Sequence, residues 1–283
     1  VSDETNQDRS TPEDAASTGQ SASGYHRLED LIICPRKFAY RAVMNLVPAV
    51  APEALALGTA VHEGLQAHYD GRGWEAGLEN PGTRWAYKVG EARGMLRAYA
   101  AKWINERFEV LDLEREFRVS CRSGIDGQRR LFTRRIDMIV LEQDGKVWIY
   151  DHKTAANPYS RARSVGYDAS LFTQNFIGRY MFKSIYGVPY GGMRLNLLGK
   201  SAPYKFYRPA MDWLPQIKKD APREIGDWLL EAERVVEQIE APGGSPWKVR
   251  KGWQCQGRYS FCDYWDLCAH GPSALSLFER EIR

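Results

Sequence analysis

Arg134–Thr154 reads RRIDMIVLEQDGKVWIYDHKT, and this stretch decides the fold. Two runs rich in β-branched and aromatic residues flank Asp144-Gly145. Asp-Gly between apolar runs is a strong short-range hairpin signal. The first strand, Ile136–Val140, carries Asp137, and the second, Val147–Tyr150, leads into Asp151 and Lys153. Residues two apart on a strand face the same side, so Asp151 and Lys153 share a face. The register can bring Asp137 beside Asp151 at one end of the hairpin. Two carboxylates and an ammonium then converge, and hard oxygen donors of that kind suit Mg²⁺ or Mn²⁺. Asp-x-Lys is a common string, and an edge strand with a solvated ion pair also produces it. The rest of the chain has to decide between the two.

Working outward, Leu111–Cys121 reads as the strand before the hairpin and Leu171–Tyr186 as a helix after it. Met193–Leu198 and Tyr204–Tyr207 read as further strands. Leu55–Tyr69 has helical apolar spacing, Arg84–Phe108 reads as a long amphipathic helix and Asp212–Glu240 as a helical stretch with breaks expected at Pro215 and Pro222. HRLEDLIICPRKFAYRAV gives a short helix, a break at Cys34-Pro35 and another helical turn. Residues 1–22 are polar and read as a disordered leader. The pattern predicts an α/β core with a mixed central sheet flanked by helices. Residues 155–168, AANPYSRARSVGYD, read as a loop holding two arginines and two tyrosines.

The chain has 283 residues and a formal net charge of only +3, so charge alone does not name a partner. The basic residues cluster, however: Arg36-Lys37 with Arg41, and Arg129-Arg130 with Arg134-Arg135. Aromatic residues lie nearby, a combination compatible with nucleic acid. No apolar run approaches the ~18 residues of a membrane span. Five cysteines and a polar N-terminus point to a reduced, cytoplasmic setting rather than a disulfide framework.

Chemistry-bearing residues lie beyond the hairpin. His62, in GTAVHEGL, sits on a predicted helix that could lie over the sheet end. A lone helical histidine is more often a packed or surface residue, yet imidazole is also a common metal ligand. Glu116, on the first strand, could support a metal site or lie on the surface. Gln174 offers both a donor and an acceptor. Cys255, Cys262 and Cys268 have the spacing C-x6-C-x5-C, and Cys34 lies far upstream. Four thiolates suit an iron–sulfur cluster or a zinc ion.

Cys-Pro-Arg-Lys-Phe-x-Tyr, Gly-x-x-x-His-Glu, Ile-Asp, Asp-x-Lys and the C-terminal cysteines occur in that order, from about Tyr25 to His270. Together they resemble the PD-(D/E)XK nucleases of the RecB-like iron–sulfur branch, the AddB-type and CRISPR-adaptation exonucleases. The resemblance implies a restriction-endonuclease-like sheet within residues 23–283. It also implies an iron–sulfur-stapled subdomain made from residues 23–45 and 245–272. It makes His62, Asp137, Asp151 and the carbonyl of His152 the ligands of Mg²⁺ or Mn²⁺. Lys153 would orient or activate the attacking water and stabilise charge on the phosphate, with Gln174 supporting it. Cys34, Cys255, Cys262 and Cys268 would hold a [4Fe–4S] cluster, with Zn²⁺ as the alternative. Arg36, Lys37, Arg41, Arg134 and Tyr180 would lie along DNA. The family's Gln-x3-Tyr is Gln174-x5-Tyr180 here, which puts the two side chains on different helix faces.

The expected activity is hydrolysis of single-stranded DNA or DNA ends, with an exonuclease as the leading form. The alternative is a DNA-binding or assembly module with a structural cluster. No helicase motif occurs, so unwinding would come from a partner such as a helicase, with an integrase or recombination protein as other expected partners. No membrane role is expected.

Overall fold

A computed structural model describes residues 24–49, 53–79, 85–164, 168–211, 221–252, 255 and 262–280. The expected leader, residues 1–22, lies outside the described residues, as do 212–220 of the predicted last long helix.

The first helices are α1 (Tyr25–Ile33) and α2 (Pro35–Phe38), separated at Cys34 as the Cys-Pro break requires. A strand, β1 (Leu46–Pro48), precedes α3 (Glu53–Tyr69) and α4 (Val89–Lys102). Then come β2 (Phe108–Arg122), β3 (Arg129–Glu142) and β4 (Val147–Ala155), followed by α5 (Pro158–Ser164) and α6 (Ala169–Tyr186). The chain continues through β5 (Tyr190–Gly199), β6 (Phe206–Tyr207), α7 (Ala221–Glu240), α8 (Trp265–His270) and β7 (Phe278–Arg280).

Residues 155–168, expected as a loop, contain helix α5, the strand expected at Tyr204–Tyr207 spans only Phe206–Tyr207, and further boundaries move. The helix foreseen over Arg84–Phe108 spans only Val89–Lys102, because Phe108 and Val110 join β2 and pair with Glu142 and Val140. Pro222 does not break α7 but occupies its first turn, where its missing N–H is tolerated.

The main sheet has the order β2-β3-β4-β5-β6. Its β4–β5 pair is parallel and the other pairs antiparallel, which makes the sheet mixed. The β3–β4 hairpin turns where the sequence predicts, with Gly145 at φ 72°. Only glycine enters that region without strain.

The two faces of the sheet carry separate cores. Ile139, Ile149, Leu195 and Leu197 pack on one face with Phe176 and Ile177 of α6 and Ile225 and Leu229 of α7. On the other face Val61, Leu65, Met95 and Leu96 of α3 and α4 pack with Leu198. This is a mixed sheet flanked by helices, as expected from the sequence.

The two ends of the chain meet. Strands β1 and β7 pair antiparallel, and Tyr40 and Leu46 pack with Tyr264 and Leu267. Arg36 donates to the carbonyls of Val249 (2.8 Å) and Trp247 (2.6 Å). Asp30 is 2% exposed and takes Lys37 at 2.9 Å and Arg41 at 3.2 Å.

Candidate active site

Strand register builds the site. Leu141↔Val147 through Met138↔Tyr150 are paired across β3 and β4, and one more step sets Asp137 opposite Asp151. There the backbone ladder gives way to a side chain: the N–H of His152 donates to Asp137 Oδ2 at 2.8 Å. On the other side of β3, Leu113↔Met138 and Arg115↔Ile136 bracket a step that sets Glu114 opposite Asp137. Glu114 and Asp137 thus stand opposite each other, and Asp151 follows the last β3–β4 pair on the next strand.

Glu114 occupies its place with φ 50°, inside a strand. For a residue with a Cβ this left-handed backbone costs about 1–3 kcal/mol and persists where surrounding structure enforces it. Burial and the neighbouring Asp137 charge push the Glu114 carboxyl up to about 8, against a smaller opposing pull from Arg135. Asp137 goes the other way. Burial alone would raise it, but His62, Lys153 and the His152 N–H outweigh burial and hold it well below the usual carboxylate range.

His62 comes in from α3. Its Nε2 lies 2.9 Å from the carbonyl oxygen of His152, and its Nδ1 lies 3.8 Å from Asp137 Oδ2. One ligand atom each from His62, Glu114 and Asp137 lies within 4.8 Å of the others. Among the described residues this is the one group with that geometry.

Asp151 is fully buried. Its Oδ1 accepts from Lys153 Nζ (2.9 Å) and from Gln174 Nε2 (2.7 Å). Its Oδ2 is buried without a hydrogen-bond partner, as is Gln174 Oε1. An unsatisfied buried carboxylate oxygen is costly unless something else satisfies it. Burial would lower the pKa of Lys153, but Asp151 and Asp137 outweigh it and hold the amine above its ordinary value. Lys153 is therefore an ammonium here, a donor and not a base.

His152 has its backbone in the site and its ring on the α3 side of the sheet, edge-on to the His62 ring with centroids 6.0 Å apart. The ring is 4% exposed, and burial drives its pKa down to about 3. The neutral ring accepts at Nδ1 from Asn196 Nδ2 (2.7 Å), whose own Oδ1 accepts from Arg208 Nε (3.0 Å). It also lies parallel to Tyr69, with centroids 6.1 Å apart. These contacts fix the peptide that presents one carbonyl and one N–H to the site.

The structure brings Asp137, Asp151, Lys153, Gln174, His62 and the His152 carbonyl together at one sheet end. The sequence reading leaves out Glu114, and of its two readings of Glu116 the surface one fits. Glu116 lies opposite Arg135 and pairs with Arg118 at 3.1 Å. The three-residue ligand group contains Glu114 and not Asp151.

The residues expected along DNA are mostly placed otherwise. Arg36 is tied to the chain end through its two carbonyl bonds, and Lys37 and Arg41 neutralise buried Asp30. Stripping the partners from a buried charge costs about 3–5 kcal/mol, so those cations are committed to the fold. Arg134 is 4% exposed and donates to Ser170 Oγ at 2.8 Å. Tyr180 is the one strongly exposed member, packed on Phe176 and turned away from buried Gln174.

Cys34, Cys255, Cys262 and Cys268 lie along the junction of the chain ends without forming a close cluster. Cys34 Sγ accepts from the Gly252 N–H (3.1 Å), and Cys255 Sγ donates to the Gly252 carbonyl (3.6 Å). The N–H of Cys262 donates to the Cys255 carbonyl (3.1 Å), and Cys268 Sγ lies 3.8 Å from Tyr40 OH. No three of these sulfurs come within 4.8 Å of one another. A tetrahedral zinc site, with Zn–S of about 2.3 Å, sets its sulfurs about 3.8 Å apart. The structure therefore holds no ready zinc tetrahedron among these residues. Cys121 is buried in the main core.

A mixed sheet that lines up acidic residues beside an Asp-x-Lys strand end defines a class, and comparison with known proteins agrees with it. The family model of the PD-(D/E)XK nuclease superfamily matches residues 23–269. The chain belongs to that superfamily. No curated protein matches. Among solved structures, one titled "Putative exonuclease" from Eubacterium rectale has 11% identity and a TM-score of 0.49, covering 88% of this chain and 87% of its own. A second, SSO0001, has 12% identity and a TM-score of 0.34, covering 86% and 93% respectively. Among the described residues, no helix is long and apolar enough to cross a membrane.

Proposed function

We propose that this chain is a divalent-metal-dependent deoxyribonuclease of the RecB-like iron–sulfur branch, an exonuclease acting on single strands or DNA ends. The observation that carries the reading is the pairing of His62, Glu114 and Asp137 with Asp151, Lys153 and Gln174 at one strand end.

The donor set fits Mg²⁺ or Mn²⁺. Two carboxylates and an imidazole stand within reach of one another, a backbone carbonyl faces the imidazole, and Asp151 Oδ2 is buried without a partner. His62, Glu114, Asp137, the His152 carbonyl and Asp151 Oδ2 would hold the ion. A cation bound there polarises the phosphoryl oxygen and lowers the pKa of its water.

The chain's own groups supply the rest. Lys153 places an ammonium where negative charge grows on the phosphate as water adds. Asp151 Oδ1 anchors that ammonium, and Gln174 fixes Asp151 from α6. The Asn196–Arg208 contacts keep the His152 ring in place on the α3 side of the sheet. The P–O bond to the leaving nucleotide breaks as the new bond to water forms, which releases two fragments.

The second part of the reading is a [4Fe–4S] cluster on Cys34, Cys255, Cys262 and Cys268. A cubane takes each thiolate at a separate iron corner and so spaces them wider than one ion does. Cys34 and Cys255 both hydrogen-bond to Gly252, and the Cys262 N–H bonds the Cys255 carbonyl, which supports that role. Such a cluster would staple the N-terminal helices to the C-terminal segment. Partners that unwind or supply DNA ends, such as a helicase, an integrase or a recombination protein, fit this activity.

The test is cleavage of end-labelled single- and double-stranded DNA by anaerobically purified protein, with Mg²⁺, with Mn²⁺ and with EDTA. Metal-dependent release of mononucleotides or short products is expected. DNA binding without cleavage under any metal would favour the non-catalytic binding module.

A further inference from the structure

The arginine- and tyrosine-bearing segment after β4 takes no part in the site described above. It places Tyr159 on α5, where its ring packs on Tyr207 of β6, with centroids 4.9 Å apart and planes at 38°. Both rings are open to water, Tyr159 at 50% and Tyr207 at 36% exposure. Core packing does not account for them.

The sheet fixes where this pair stands. Lys153 pairs with Leu197 on β5, and Leu197 pairs with Tyr207 on β6. Directly opposed residues share a face, so Tyr207 stands on the side that carries Asp151 and Lys153. Its neighbour Phe206 packs in the core of the opposite face. Helix α5 lies on the Lys153 side too, since its Ala162 packs in the same cluster as Leu197. Two strand spacings separate Tyr207 from Lys153, about 10 Å.

The surroundings are cationic. Lys205 lies two residues before Tyr207, and Arg163 follows Tyr159 on α5. Both are exposed, and neither forms an ion pair among the described residues. Exposed rings with unpaired cations beside them are the features on which unpaired bases stack and their phosphates settle. A paired duplex presents no open base face, so the arrangement selects a single strand.

We infer that Tyr159 and Tyr207 form a base-stacking platform that holds single-stranded DNA a few nucleotides from the scissile phosphate. The inference rests on the nuclease reading for the direction of the strand, but strand binding itself needs no catalysis.

Fluorescence anisotropy with a labelled oligothymidylate, in EDTA, tests it on the full chain. Tyr159→Ala and Tyr207→Ala should each weaken binding about 5- to 150-fold, the range for loss of one stacked base. Tyr159→Phe and Tyr207→Phe keep the ring and should bind as the unaltered protein does. Thermal melts of all four identify any variant whose loss comes from unfolding, and the phenylalanine variants hold the comparison if an alanine variant unfolds. Unchanged oligothymidylate affinity in both folded alanine variants would overturn the platform. So would an equal loss on a blunt duplex of the same length. If tyrosine-dependent binding is present and metal-dependent cleavage absent, the nuclease reading fails and the platform stands. If cleavage is present and the alanine variants bind normally, the reverse holds.

Discussion

His62 directs its Nε2 at the backbone carbonyl oxygen of His152, 2.9 Å away, across ninety residues of chain. The imidazole and the carbonyl stand as a hydrogen-bonded donor and acceptor. A cation would draw on both, so the hydrogen bond marks where ligands from α3 and β4 meet. His62→Ala should weaken Mn²⁺ binding by at least the roughly 10- to 100-fold seen on losing a supporting partner of a metal ligand. Calorimetric titration with Mn²⁺ measures this directly. An unchanged affinity would remove His62 from the ligand set.

Glu114 predicts a pH dependence. Its folded pKa of about 8 stands above the ordinary value of 4.5, because burial and Asp137 both oppose its charge. The folded chain then binds more protons than the unfolded chain between those two values. Stability without metal therefore falls as pH rises from about 4.5, and the loss is complete above about 8. Glu114→Gln removes that penalty. Its metal-free melting temperature should exceed that of the unaltered protein at pH 9 and match it near pH 4.5. With Mg²⁺ present at pH 9 the order should reverse, since the cation supplies the counter-charge that the glutamate lacks. A variant that melts lower at pH 9 without metal would show that Glu114 serves the fold and not the ion.

Why Glu114 escaped the sequence reading is a matter of register. The β3–β4 hairpin was legible because Asp144-Gly145 fixes its turn, and the turn fixes which residues oppose one another. The β2–β3 turn also holds an Asp-Gly pair, Asp126-Gly127 with Gly127 at φ 72°, but off centre in a longer loop, so the pair alone does not fix which residues oppose one another. The loop closes through the Ser123 N–H to the Gln128 carbonyl (2.9 Å), with Asp227 of α7 accepting from Ser123, Gly124 and Ile125. Arg122↔Arg129 then carries down the ladder to Glu114 opposite Asp137. The Asp227 contacts that help hold this turn come from α7 and are visible only once that helix is packed on the sheet. The contacts that Lys37 and Arg41 make within the fold have a different cause. Charge clusters are visible in a sequence, but the buried Asp30 that draws Lys37 and Arg41 inward is visible only once α1 and α2 are packed.

Lys153 should separate chemistry from binding. Its ammonium is held by Asp151 and stands on the site face, yet it is not a metal ligand. Lys153→Ala should lower the cleavage rate about 10²- to 10³-fold, the cost of one preorganised donor to a developing anion. Mn²⁺ and DNA affinity should stay near their original values. Gln174→Leu should act more weakly in the same direction, because it removes one of two donors to Asp151 Oδ1 and leaves Lys153 in place. Single-turnover cleavage with saturating metal gives both rates. Full activity in Lys153→Ala would sink the proposed mechanism.

The cysteines predict colour. Purified without oxygen, the protein should be brown, with a broad visible band and matched iron and sulfide. Cys34→Ser and Cys268→Ser act from opposite ends of the chain, so either should abolish the band if one cluster joins both ends. The main sheet should survive that loss, because its two cores contain none of the four residues. The ends should loosen only in part. Strands β1 and β7 still pair, and Tyr264 OH still donates to the Leu46 carbonyl at 2.7 Å. Limited proteolysis should therefore cut the serine variants first within the C-terminal segment and leave the α3–α7 portion intact. A zinc tetrahedron would need these sulfurs within about 4 Å of one another, and no three of them come within 4.8 Å of one another. A colourless, metal-free protein with the same proteolytic pattern as its serine variants would rule the cluster out, and the hairpin site would then stand without it.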